Sequence, residues 1–276
     1  MTTLLASASR SHISQRAQIH QIPGHADLEA DEWIDEDEFV PRFNIAPRTY
    51  APVLRSRDTV PSESQSPSTS RISYVMQSMK WGLVPHWSKV EDKTLSTTNA
   101  RAENLVEGGS MWASMKGKKR CAVLCQGCVR PSRSLATLKL SDRYYEWLTK
   151  GKQKLPHFTK HKDGRLMLMA GLYDCVTLEG KLLGMMMLVL LNPFIYILTG
   201  QKKPLWTFAI VTTAANKEFE WLHDRQPVIL STREALDKWL DASSGLWTSE
   251  LSKLVEPYHD PSSPLEWYCL VRKNFD

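Results

Sequence analysis

The sequence predicts an α+β fold, one domain rich in β-strand with a few short helices, and three observations carry that reading. Residues 120–125 (RCAVLC), 166–173 (LMLMAGLY) and 205–213 (LWTFAIVTT) are apolar runs of strand length, bounded by polar residues or glycine. Helical periodicity is confined to short stretches near the C-terminal end. No regular alternation of strand and helix, the mark of a parallel α/β sheet, runs through the chain. With 276 residues, 42% of them hydrophobic and 24% charged, the chain is long enough to bury a sizeable core.

In chain order, residues 1–20 are Ser-rich, carry Arg10 and Arg16 and no acid, and read as a polar tail faintly like a mitochondrial presequence. Residues 27–38 hold eight acidic side chains and no Lys or Arg. They read as an exposed acidic helix or loop, docked on the body by Trp33, Ile34 and Phe39. Residues 61–70 (PSESQSPSTS) suit a flexible loop between two strands. Residues 232–240 (TREALDKWL) place Ser231 or Thr232 at an N-cap, Glu234 in the first turn and apolar residues at helical spacing, which predicts a helix. A shorter one is expected at 250–255.

Two stretches interrupt this pattern. Residues 182–199 run for 18 positions without a charge, between Lys181 and the pair Lys202 and Lys203, which is long enough for a marginal membrane span. Asn192-Pro193 in the middle breaks a helix there, and strand-like sequence continues on both sides, so an insertion is the expectation and a membrane span is not. Residues 128–143 (CVRPSRSLATLKLSDR) are basic, loop-like and read as a surface insertion.

The formal charge is +5, but outside residues 27–38 there remain 22 acids against 35 bases, a surplus of 13. Such a surplus draws polyanions, of which nucleic acid is the commonest for a basic domain. Ten Trp residues imply that some lie at a surface able to stack on a ligand. An odd count of five Cys and no secretory signal point to a reducing compartment. Cys121, Cys125 and Cys128 have the spacing C-x3-C-x2-C, which suits an iron–sulfur cluster, but two of them lie in a strand-like run and read as small buried hydrophobes. His157 and His161 are four apart with no third ligand in view, and read as surface residues of a Lys-rich turn. No metal and no cofactor are expected.

Three clusters combine polar residues with aromatics and tight turns. The first is Phe43-Asn44-Ile45-Ala46-Pro47. The second is Trp81-Gly82-Leu83-Val84-Pro85-His86-Trp87, followed by Asn99-Ala100-Arg101-Ala102-Glu103. The third joins Tyr145-Glu146-Trp147, Gly171-Leu172-Tyr173 and His223-Asp224-Arg225-Gln226-Pro227. In this order they resemble the SRAP (SOS-response-associated peptidase) family, over a domain at 43–270 that follows a variable segment at 1–42 and carries insertions at about 128–143 and 183–204.

The resemblance implies a protein of the DNA damage response that holds abasic sites in single-stranded DNA, crosslinks to them and processes itself as a peptidase. In that family an N-terminal Cys traps the ring-opened sugar aldehyde as a thiazolidine. A carboxylic acid and a histidine move protons for it, roles that fall on Glu146 and His223, while an Asn positions the nucleophile, which maps to Asn99. Arg101 and Arg225 are implied to grip phosphates, and Trp81, with Pro47 and Asn44, to hold the flanking strand. The sequence has Thr2 where the family has Cys, and its first Cys is Cys121. The alternative is therefore a catalytically inactive single-stranded DNA-binding module. Single-stranded DNA with abasic sites is the expected partner, the protein is expected to be a monomer, and nucleus or cytoplasm is the expected location.

Overall fold

The computed structural model describes residues 20–22, 25, 27–41, 45–57, 73–92, 94–125, 144–150, 153–178 and 203–269. Thr2, Asn44 and the stretches 61–70 and 128–143 lie outside them, as does 183–204 except for its last two residues.

Three two-residue strands come first, β1 (His20–Gln21), β2 (Glu29–Ala30) and β3 (Trp33–Ile34). They are followed by β4 (Tyr50–Ser56), β5 (Tyr74–Trp81), β6 (Asn99–Arg101), β7 (Arg120–Cys125), β8 (Tyr144–Lys150) and β9 (Gln153–His161). The last are β10 (Met167–Val176), β11 (Leu205–Ala214), β12 (Arg225–Pro227) and β13 (Leu265–Cys269). The helices are α1 (Ala102–Glu107), α2 (Arg233–Leu240) and α3 (Ser249–Leu254).

Five strands close into a ring. β5 pairs with β4, β4 with β7, β7 with β10 and β10 with β11, all antiparallel. β11 then meets the end of β5 in parallel, Thr207 beside Lys80 and Phe208 beside Trp81, which removes the free edges an open sheet would leave there. The run RCAVLC does not alternate polar with apolar because both of its faces are covered. Ala122 and Leu124 join Leu54, Ala170 and Leu172 in one hydrophobic cluster, and Cys121, Val123 and Cys125 join Val53, Met169 and Phe208 in another. The first cluster is completed by α2, which buries Leu236, Trp239 and Leu240. Thr232 caps α2 by accepting from Ala235 N at 3.1 Å. At its other end the buried Arg120 guanidinium donates to Trp239 O at 2.5 Å and to Asp241 O, and on to Lys116 O at 2.8 Å and Gly117 O at 2.6 Å. Burial lowers the Arg120 pKa to about 10.

β8, β9 and β13 form a second, antiparallel sheet. It corrects the expectation for His157 and His161, which are not in a surface turn: both lie in β9 and are buried. Positions 157, 159 and 161 share one side of the strand by its period of two, and that side is buried. Among the described residues no three His, Cys, Asp or Glu side chains converge to hold a metal ion.

The acidic stretch is likewise no simple helix or loop. β2 pairs with β1, β3 pairs in parallel with β5, and only 36–38 turn helically. Buried Leu28 and Ala30 alternate with exposed Asp27, Glu29 and Asp31, a period-two signal hidden in the charge run. The expected anchors do dock it: the Trp33 indole donates to Ser78 Oγ at 3.0 Å and Phe39 is buried. Two of its acids meet Lys203, whose Nζ is 3.1 Å from Asp35 and 2.8 Å from Glu38, and Glu32 pairs with Arg57 at 3.1 Å. No helix among the described residues is long and apolar enough to cross a membrane.

Candidate functional site

β11, from the ring closure outward, organises the candidate residues. Trp81 lies beside Phe208, Asn99 beside Ile210 and Arg101 beside Thr212, all in parallel register. Each step is two residues, or about 6.7 Å, so the three form an evenly spaced row along one strand. Asn99 and Arg101 are exposed and Ala100 between them is buried, as alternation requires.

Trp81 is half-buried against the second cluster, and its indole N–H donates to Thr98 O at 2.9 Å, tying the end of β5 to the residue before Asn99. Gly82 turns the chain out of β5 with φ 114°, a conformation that favours glycine, while its N–H donates to Phe208 O at 2.9 Å. Pro47 is exposed on the next turn, where Arg48 N donates to Trp81 O at 2.7 Å. Pro47, Gly82, Leu95 and Thr98 line a cleft of about 370 Å³ beside this end of the row. The loop beyond is pinned by Asp174, whose fully buried carboxylate accepts from His86 N at 2.8 Å, His86 Nδ1 at 2.9 Å and Lys119 Nζ at 2.5 Å. Burial pushes the Asp174 carboxyl up, but these donors outweigh it and hold it below the usual carboxylate range.

At the far end of β11, Arg225 of β12 pairs with Ala214 on the opposite edge of β11 from Asn99 and Arg101, and its side chain reaches across to Glu103. Its guanidinium is not open to a ligand on every side: Nη1 is 2.6 Å from Glu103 Oε1, and Nη2 is 2.9 Å from Glu103 Oε2 and 2.7 Å from Thr212 O. The Arg225 hydrogen bonds hold the Glu103 carboxyl below its usual range. His223 Nδ1 lies 2.9 Å from Arg225 N. Asp224, strongly exposed, lies 3.0 Å from the same Nδ1. The backbone of Glu146 lies opposite His157, and the His157 ring meets Trp221 edge-on at 5.3 Å, two residues before His223. The strand bearing Glu146 thus adjoins the loop bearing His223.

The structure therefore brings Trp81, Asn99, Arg101, Arg225 and His223 to one strand and its continuation, with Pro47 beside them. Glu103 and Asp174 had no assigned role in the sequence reading. The signal for Asp174 was present, since a lone carboxylate inside an apolar strand run must be paired to be buried. Among the described thiols, Cys121 and Cys125 are buried, and burial pushes both the Cys121 and the half-exposed Cys175 thiol up, away from thiolate.

The class these features define is a β-barrel domain with a polar, cationic, aromatic-flanked strand edge, suited to an extended anionic chain. The chain belongs to the SOS response associated peptidase (SRAP) family, which it matches over residues 7–273. It is 36% identical over 239 residues to an abasic site processing protein of Saccharomyces cerevisiae, covering 85% of this chain and 50% of that protein. It is 30% identical to the abasic site processing protein HMCES of Gallus gallus, over 82% of this chain and 61% of the relative, and so spans about half to three fifths of these two. Its fold is similar to the crystal structure of a protein from Bacteroides thetaiotaomicron at 26% identity, with a TM-score of 0.51 over 72% of this chain and 70% of that one.

Proposed function

We propose that this chain binds abasic sites in single-stranded DNA, inside the cell in nucleus or cytoplasm, as a monomer acting in the DNA damage response. The observation that carries the reading is the row Trp81, Asn99, Arg101 along β11, at the near end of which Pro47 lines a cleft and at the far end of which His223 and Arg225 stand. Arg101 neutralises a phosphate and Trp81 and Pro47 pack a flanking base, with Asn44 the further DNA-binding residue that the family resemblance assigns. Asn99 orients the sugar aldehyde, and His223 and Glu146 are the proton-transfer groups.

A second reading, binding without a covalent bond, is favoured by the thiols. The family reaction needs an activated thiol, and burial holds the described Cys121 and Cys175 thiols in the protonated form. The test for both is one series of oligonucleotides, single-stranded and duplex, with and without an abasic site, titrated at several salt concentrations and then run on a denaturing gel. Single strands should bind more tightly than duplex, with affinity falling steeply as salt rises. Arg101→Ala should weaken binding about ten-fold or more, from about 1.5–3 kcal/mol per charged contact. Equal affinity of wild type and Arg101→Ala would refute the assignment, and a heat-stable adduct would replace the second reading with the first.

A further inference from the structure

The loop 215–224 leaves β11 just past Arg101's partner Thr212 and returns as β12. Its base is closed tightly. Ala215 N donates to Asp224 O at 3.0 Å, the Asn216 amide donates to Tyr258 O at 2.5 Å, and Asn216 Oδ1 accepts from Phe219 N at 2.8 Å. Phe219 is buried beneath the loop, whereas Trp221 on the same short segment is 48% exposed. The loop thus buries one aromatic and holds the larger one with about half of its surface in water.

Trp221 is also braced. The His157 ring lies 5.3 Å away at 84°, and Trp267 lies 6.1 Å away at 84°, so the indole is wedged edge-to-face by two neighbours, and Trp267 in turn packs on Phe219 at 6.2 Å. A rigid, partly exposed indole, two residues from His223 and four from Arg225, is the chemistry that stacks on a planar nucleobase, because every base has a π-face and the indole is already ordered.

We propose that Trp221 is a stacking platform for one unpaired nucleobase of the bound strand, at the opposite end of the β11 edge from Trp81. The inference rests on the proposed single-stranded DNA binding and adds to it a second aromatic contact, which sets where the strand leaves the protein. It also explains how a strand can be held on both sides of Asn99: Trp81 grips it on one side and Trp221 on the other.

The experiment uses the full chain with Trp221 as it stands, Trp221→Leu and Trp221→Tyr, and fluorescein-labelled single strands carrying one tetrahydrofuran abasic analogue. A second panel removes each other base in turn, leaving the backbone intact. Trp221→Leu should weaken binding by about 5- to 100-fold, as loss of one base–aromatic stack predicts. Trp221→Tyr should restore it to within about three-fold. In the panel, the difference between wild type and Trp221→Leu should vanish for a single oligonucleotide, the one lacking the stacked base. Equal affinity of wild type and Trp221→Leu overturns the platform, as does a loss spread evenly over the whole panel, which would mark Trp221 as a packing residue. Failure of the underlying reading looks different, since the wild type itself would then bind none of the strands.

Discussion

Glu103 decides how much of the cationic edge a phosphate meets. Its carboxylate takes both Nη atoms of Arg225, at 2.6 and 2.9 Å, and a bidentate pair of this kind is the strong form of a charge-assisted hydrogen bond. Phosphate must compete with it, so at rest Arg101 presents the more available charge. Glu103→Gln removes the competitor and keeps the shape. The expected outcome is several-fold tighter binding of single-stranded DNA, with a plot of log affinity against log salt steeper by about 0.7 for the one phosphate gained. An unchanged salt slope would show that Arg225 serves only to lock β12 to α1. At this scale the sequence was legible in its motifs and silent on pairing. Arg101 and Arg225 stood in matched motifs, but which guanidinium is clamped depends on Thr212 and Glu103, brought to Arg225 from 13 and 122 positions away.

α2 shows how elements are held by unequal ends. Its N-terminus is exposed, and Thr232 supplies one hydrogen bond that water can replace in part. At its C-terminus Trp239 and Leu240 are buried, and Arg120 donates to the buried carbonyl of Trp239 as well as to that of the exposed Asp241. Thr232→Ala should therefore lower stability by about 1 kcal/mol, and Arg120→Leu by about 3 kcal/mol, since the second substitution leaves buried acceptors unsatisfied. Urea unfolding with equal slopes for the variants measures both; a smaller loss for Arg120→Leu than for Thr232→Ala would reverse the argument. The helix itself was readable, because its cap, first-turn acid and periodicity all agree locally. The strands were readable as runs, but closure of the ring was not. It depends on Thr207 and Phe208 meeting Lys80 and Trp81 in parallel, a pairing between distant segments that no local pattern encodes. His157 and His161 were misread for a related reason, since positions four apart share a face in both helix and strand, and only the strand buries them here.

Over the whole molecule, the charge surplus and the buried histidines set how the protein responds to its medium. The acidic stretch is stapled to β5 and partly answered by Lys203, so the basic remainder of the surface is left to attract DNA. Acid acts through a different group. His161 is buried, its Nδ1 is 3.1 Å from Ser263 Oγ, and burial lowers its pKa from 6.5 to about 4. His25, whose Nε2 meets Leu166 O at 3.0 Å, is shifted the same way by burial. Because the folded value lies below the unfolded one, the unfolded chain binds more protons between pH 4 and 6.5. Stability is then undiminished above pH 6.5, falls as pH drops through that window and levels off below pH 4, with His161 contributing a loss of roughly 3 kcal/mol. Carboxylates such as Glu103 and Asp174, whose folded pKa values are depressed, lose their contribution only at lower pH, below their ordinary values of 4.5 and 3.8. The two effects overlap only at the acid end of the window, near pH 4–4.5. His161→Gln removes the titrating ring while keeping a polar partner for Ser263, so its stability, measured by urea unfolding at half-unit steps, should vary less between pH 4 and 6.5 than that of the unaltered protein. If the two profiles run parallel through that window, the acid sensitivity comes from another group and the burial of His161 is not what sets it.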